Sequence, residues 1–94
     1  MKPIHILLVE DNDGDILLTT DAFEERRISN KISVVKDGKE AIDFLNQEGK
    51  YAQKELPDLI LLDVNLPKKN GHEVLEIIKS TEHLKQIPVM TLPQ

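Results

Sequence analysis

An acidic segment near the start of the sequence has the residue types needed to bind a cation. E-D-N-D-G-D, residues 10–15, carries five acidic or amide side chains in six positions, directly after the apolar run I-H-I-L-L-V. Carboxylates packed this densely repel each other unless a cation or water holds them apart. The segment is therefore a candidate calcium loop, a candidate catalytic metal site or a solvated turn.

The spacing excludes a calcium loop of the EF-hand type. Such a loop needs glycine at its sixth position and a bidentate glutamate at its twelfth. Counted from Asp11, these positions hold Ile16 and Ala22. A strand-like segment also precedes the loop, where an EF-hand would have a helix.

Four apolar segments have the patterns of β-strands. Ile4–Val9 is short and apolar and stops at acids, while residues 59–62, L-I-L-L, are uniformly apolar. A uniformly apolar strand is typical of the centre of a parallel sheet, where both faces are buried. Residues 31–36 alternate enough for a more exposed second strand, and residues 88–92 resemble the start of a fourth.

Three helices are predicted between these strands. Asp13-Gly14-Asp15 can cap a helix that runs to about Ile28, Asp37-Gly38 starts one that ends near residue 46, and Asn70-Gly71 turns into the third. Residues 46–57 read as a linker. The inward-facing candidates are Leu17, Phe23 and Ile28 in the first helix, Ala41, Ile42 and Leu45 in the second, and Val74, Leu75 and Ile78 in the third.

The alternation of strands and helices predicts an open α/β sheet with parallel strands and right-handed crossovers. Ligands of such sheets bind beyond the carboxyl ends of the strands. Two of those ends carry acids here, because Glu10 and Asp11 follow the first strand and Asp63 follows the third.

The bulk composition narrows the classes of partner. The 94 residues suffice for one domain, residues 1–94. A net charge of −5 argues against nucleic acid as a partner, and the absence of cysteine excludes disulfides and thiolate zinc sites. The N-terminal apolar run is too short for a signal peptide or a membrane span, so we expect a soluble cytoplasmic protein without a membrane partner.

Four segments in the right order resemble a response-regulator receiver domain. They are Glu10-Asp11, D-G-K-E-A at residues 37–41, L-I-L-L-D ending at Asp63, and D-L-I-L-L-D-V-N-L-P-K-K-N-G-H-E-V-L at residues 58–75. With the longer connection around Tyr51, the sequence is similar to the stand-alone receivers that serve phytochrome-type histidine kinases. The resemblance implies a flavodoxin-like, doubly wound parallel sheet of strand order 2-1-3-4.

The resemblance also implies the roles of individual residues. Asp63 matches the phosphoacceptor, which takes a phosphoryl group from a phosphohistidine of a sensor histidine kinase. Glu10, Asp11, Asp63 and the backbone carbonyl of Asn65 match the ligands of Mg²⁺. Such a two-component response regulator catalyses only its own phosphoryl transfer and is otherwise no enzyme. Hard oxygen ligands with open water positions suit magnesium.

The sequence departs from the receiver pattern near its end. Pro93 aligns with the Ser or Thr that hydrogen-bonds the phosphoryl oxygen, and Thr91 lies two residues earlier. The sequence stops at Gln94, before the family's fifth strand, last two helices and phosphate-binding Lys. We therefore expect a shortened receiver whose residues 59–62 and 89–92 lose the helix that covers one sheet face. Such a chain should form a homo-oligomer through its fourth strand and that face.

Two other readings of the sequence compete with phosphorylation. The chain could be a shortened receiver that serves only as an unphosphorylated protein-interaction module, or a magnesium-binding fragment without a partner. Three other features have no assigned role, because the sequence pairs none of them with a second functional group. We expect His5 and His72 to be surface imidazoles, and Lys68-Lys69 to be a solvated pair.

Overall fold

The computed structural model describes residues 3–26, 30–63, 66 and 70–92. Its elements are β1 (Ile4–Val9), α1 (Asp13–Glu25), β2 (Asn30–Val35), α2 (Gly38–Leu45), a short 3₁₀ turn (Gly49–Tyr51), β3 (Leu59–Asp63), α3 (Gly71–Ser80) and β4 (Val89–Leu92). The strands form a parallel sheet of order β2-β1-β3-β4, which confirms the predicted fold. No helix within these described ranges is long and apolar enough to cross a membrane.

The sheet separates two apolar clusters, because successive side chains of a strand point to opposite faces. On one face, Ile6, Leu8 and Leu61 pack under Ile16 and Phe23 of α1. The other face carries the larger cluster, which α2, α3 and the segment after α3 cover. Its members include Leu7, Val9, Ile60, Leu62, Phe44, Leu45, Val74, Ile78 and Leu84. The two central strands are thus buried on both faces.

A side-chain oxygen caps the start of each helix. Asn12 accepts a hydrogen bond from the Asp15 N–H at 2.9 Å. Asp37 caps α2 and Asn70 caps α3 in the same way. The first cap is therefore Asn12, and not the predicted segment Asp13-Gly14-Asp15. Its acids lie inside the first turn, where the helix dipole favours negative charge.

The predicted inward face of α1 was wrong at Leu17. This side chain is 60% exposed, whereas Ile16 and Phe23 pack against the sheet. Positions 16 and 23 lie two helical turns apart on one stripe, and Leu17 is rotated about 100° away from it. Ile28, the third candidate, lies outside the described residues.

The connection after α2 packs against that helix and is not a plain linker. The Tyr51 ring lies 5.2 Å from the Phe44 ring, centroid to centroid. Its hydroxyl donates a hydrogen bond of 2.9 Å to Glu40, to which Lys50 also binds at 3.1 Å. These contacts fix the 3₁₀ turn to α2, because an aromatic anchor and a shared carboxylate hold it at two points.

His5 is buried, so the prediction of a surface imidazole was wrong for this residue. It is the second residue of β1, and its side chain points to the same face as Leu7 and Val9. β1 is a central strand, and Phe44 of α2 covers it as far as His5, although Ile4 before it is 45% exposed. His72 is exposed, as expected.

Exposure on the face under α1 is greatest on the outer strand β4, and it includes Leu59 at the start of β3. Leu61 is buried, so the prediction that the central strand loses its cover was wrong there. Leu59 and Leu92 are half-buried, and Met90 is 58% exposed. Leu61 packs with Ile6 and Leu8 in the cluster under α1, and Met90 lies farther out on β4.

Candidate functional site

The acids that follow the first and third strands lie together at the carboxyl edge of the sheet. Val9 is in register with Leu62, so Glu10 and Asp63 lie level on neighbouring strands. Glu10, Asp11 and Asp63 each offer a carboxylate oxygen, and the three oxygens lie within 4.8 Å of one another. The strand order places β1 beside β3, and it thereby brings together the acids that the sequence carries after these two strands.

Backbone hydrogen bonds hold the loop that carries two of these acids. The Glu10 N–H donates to the Val35 carbonyl at 3.0 Å, which extends the pairing of β1 with β2 by one residue. The Asn12 N–H donates to Glu10 Oε2 at 3.2 Å, while the Asn12 side chain caps α1. Glu10 is therefore oriented by the same residue that starts the helix.

Two of the three acids are buried, and this raises the pKa of one of them. Glu10 is 3% and Asp63 is 2% exposed, whereas Asp11 is open to solvent. Burial raises the pKa of Glu10 to about 7, against the opposing hydrogen bond from the Asn12 N–H. The hydrogen bond with Asp63 and the negative charges of Asp63 and Asp15 also raise this pKa. Glu10 thus resists ionisation, because it is buried and because other carboxylates surround it.

The donor set fits a hard divalent cation. Three carboxylate oxygens converge, and a cation between them would offset the burial and the neighbouring negative charge that together raise the pKa of Glu10. The exposed Asp11 leaves one side of the cluster open to water or to a phosphoryl oxygen. Asn65, the fourth expected ligand, lies outside the described residues.

The other predicted contributors are only partly described. Gly71, whose turn was expected before the third helix, is the first residue of α3, while Pro93 lies outside the described residues. The pair Lys68-Lys69, for which no role was expected, also lies outside them. Thr91 is in register with Leu62 and is exposed. The structure therefore describes the three acids, but not the position of Pro93, where the family has a Ser or Thr.

Two residues near the site were missed from the sequence. Asn12 caps α1 and orients Glu10, a dual role that the motif N-D-G-D could have indicated. Lys36 follows β2 directly, and its Nζ lies 2.6 Å from Asp13 Oδ1. Lys36 could have been identified from the sequence, because it directly follows β2, the strand that pairs with β1.

Comparisons with known proteins agree on one family. Residues 6–93 match the family model of the response regulator receiver domain. One solved structure that resembles the chain is the crystal structure of the phosphorylated cyanobacterial phytochrome response regulator RcpA. The sequences are 50% identical and the TM-score is 0.91, over 96% of this chain and 64% of that one. The Mn²⁺-bound form of the response regulator Rcp1 gives 45% identity and a TM-score of 0.91, over 95% of this chain and 64% of that one.

Curated relatives match at a similar level. Response regulator Rcp1 of Synechocystis sp. is 46% identical over 90 residues, which is 96% of this chain and 61% of the relative. The probable methanogenesis regulatory protein FilR2 of Methanothrix harundinacea is 46% identical over 91 residues, 96% of this chain and 57% of the relative. The chain thus spans about three-fifths of the length of these relatives. By sequence and by fold, it belongs to the response regulator receiver domain family.

Proposed function

We propose that residues 1–94 act as one receiver unit of a two-component system, in which Asp63 accepts a phosphoryl group from a sensor histidine kinase of the phytochrome type. The observation that carries this proposal is the cluster of Glu10, Asp11 and Asp63 at the carboxyl edge of the sheet. The likeness to the phosphorylated phytochrome response regulator RcpA supports the kinase class.

In the proposed reaction, Asp63 is the nucleophile. A carboxylate oxygen of Asp63 attacks the phosphorus of the kinase phosphohistidine, so an O–P bond forms, the P–N bond breaks and its electron pair stays on the imidazole nitrogen. The chain contributes position and charge, because Asp63 is the last residue of a strand buried on both faces. It has no small-molecule product of its own, so we do not class it as an enzyme.

We propose Mg²⁺ as the cofactor, held by Glu10, Asp11, Asp63 and the backbone carbonyl of Asn65. When bound, the cation would neutralise charge on the phosphoryl oxygens. The convergence of three hard oxygen donors supports a divalent cation, and the Mn²⁺-bound form of Rcp1 shows that a relative binds one. A cytoplasmic location stays a prediction.

Incubation with acetyl phosphate and Mg²⁺, followed by intact-mass measurement, tests the proposal. We expect a mass increase of one phosphoryl group that disappears in Asp63→Asn and with chelator. Asp21→Asn is the control, because it makes the same chemical change at an exposed acid inside α1. A wild-type chain without a mass increase would contradict the proposal and favour an unphosphorylated interaction module.

We also propose that this chain self-associates through β4. In the described sheet β4 pairs with β3 alone, and Met90 beside that edge is 58% exposed. A strand edge presents unpaired N–H and C=O groups that a second copy can bind. Light scattering across a dilution series tests this, and a folded monomer at all concentrations would contradict it.

A further inference from the structure

An ion pair beside the cluster of Glu10, Asp11 and Asp63 joins the end of β2 to the start of α1. Lys36, directly after β2, binds Asp13, the first residue of α1, with Nζ 2.6 Å from Oδ1. The Glu10 N–H donates to the carbonyl of Val35, the residue before Lys36. The pair therefore lies beside Glu10, on the side of β1 away from Asp63.

This edge of the sheet carries a strong excess of negative charge. Six carboxylates lie there, those of Glu10, Asp11, Asp13, Asp15, Asp37 and Asp63. The Asp15 charge acts on Glu10 although Asp15 is not part of the cluster. A charge outside the cluster thus affects Glu10, and a positive charge at the same edge of the sheet would act with the opposite sign on a cation bound there.

We infer that Lys36 sets the cation affinity of the site: it binds Asp13, holds this carboxylate towards β2, and weakens the attraction of Glu10, Asp11 and Asp63 for a divalent cation. Lys36 is a positioning and charge-balancing residue here, and the inference rests on the proposed function.

The expected change in Mg²⁺ affinity is modest, because both members of the Lys36–Asp13 pair are exposed. Lys36 is 55% and Asp13 is 83% exposed, so water and salt screen their charges. In water, a unit charge at a separation on the order of 10 Å changes the affinity for a cation by roughly two- to five-fold. The change should therefore shrink as the salt concentration rises.

A Mg²⁺ titration followed by the amide NMR signals of the cluster tests the inference, since this method suits weak binding. We expect Lys36→Gln to tighten Mg²⁺ binding about two- to five-fold at low salt, and Asp13→Asn to weaken it, because the freed lysine then acts on the remaining acids. The double variant should return close to wild-type affinity, because it removes one charge of each sign. Lys36→Arg should keep the wild-type affinity.

The chain offers a matched control pair at the opposite edge of the sheet. Lys85 binds Glu82 at 2.9 Å with 46% and 87% exposure, in the segment that leads to the amino end of β4. Lys85→Gln changes the net charge as Lys36→Gln does, but far from the acids. Equal Mg²⁺ affinities of these two variants, or tighter binding in Asp13→Asn, would overturn the inference. A wild-type chain that binds no Mg²⁺ would overturn the proposed cofactor as well.

Discussion

The two ends of the central strands bury ionisable side chains in opposite ways. Near the amino end of β1, the His5 N–H donates to Asp58 Oδ2 at 2.9 Å, and the Asp58 N–H donates to the His5 carbonyl at 2.7 Å. His5 Nε2 also lies 2.9 Å from Ser33 Oγ, and its ring packs against Phe44. At the carboxyl end, the buried Glu10 faces the carboxylates of Asp63 and Asp11.

The difference distinguishes a structural polar cluster from a functional one. Apart from the buried His5 Nδ1, which has no hydrogen-bond partner among the described residues, donors meet acceptors at the amino end. The removal of one partner there leaves a group without its hydrogen bond and destabilises the fold. Like charges meet at the carboxyl end, so the removal of one acid relieves repulsion. The same kind of substitution should therefore change stability with opposite sign at the two ends.

The largest expected effect is at the amino end. His5→Ala should lower the free energy of unfolding by roughly 2–4 kcal/mol, because it removes a buried ring and its hydrogen bond to Ser33. Urea denaturation followed by circular dichroism measures the change. The matched control is His72→Ala, an exposed histidine in the first turn of α3, which should leave stability nearly unchanged. Equal losses in the two variants would show that the amino end has no special role.

At the carboxyl end, the metal-free protein should become less stable as the pH rises. The pKa of Glu10 is about 7 in the folded chain and 4.5 as its ordinary value, so the folded state binds the extra proton between these values. The resulting stability is complete below the ordinary pKa and is lost as the pH rises through the folded pKa, an effect on the order of 1–3 kcal/mol.

Urea denaturation in chelator at about pH 5 and about pH 8 tests this sign. Glu10→Gln, which cannot titrate, should remove most of the decline relative to wild type. Added Mg²⁺ should also reduce the decline in wild type, because a cation favours the ionised carboxylate. A wild-type stability that rises with pH in chelator, and more steeply than in Glu10→Gln, would contradict the assignment.

Substitution of Asp11, the exposed member of the cluster, should have a smaller effect on stability. Asp11→Asn should raise the stability of the metal-free chain by about 1 kcal/mol, because it removes one of three converging negative charges, and it should abolish Mg²⁺ binding. Asp21→Asn is the control, an exposed acid inside α1. If Asp11→Asn melts below wild type without metal, repulsion does not dominate this end of the sheet.

The fold was predictable because strong local patterns agreed with one another. The apolar run of β3, the caps at Asp37 and Asn70 and the alternation of strands and helices all indicated one parallel sheet. The meeting of Glu10, Asp11 and Asp63 followed from strand order, since the carboxyl ends of parallel neighbours share an edge. The sequence identified the acids, and the strand order placed them side by side.

The errors arose where contacts across the chain decide the environment of a side chain. His5 looked like a polar residue at a strand start, but Phe44 of α2 and Ser33 of β2 enclose it. Leu17 was predicted to face inward, whereas the adjacent Ile16 does so. Three consecutive apolar residues, 16–18, gave α1 no unique apolar stripe in the sequence. Lys36 pairs with a residue 23 positions away, and no local pattern reveals such a partner.

The smallest expected effect isolates one hydrogen bond of the amino end. Ser33→Ala removes the hydroxyl that lies 2.9 Å from His5 Nε2, and it should lower the free energy of unfolding by roughly 0.5–1 kcal/mol. Ser33 is half-buried, so water can replace part of the lost bond. In a double-variant cycle with His5→Ala, the cost of Ser33→Ala should largely vanish, because the ring that it binds is absent. An undiminished cost would mean that Ser33 stabilises β2 by itself, and the amino end would then be less of a paired cluster than the structure indicates.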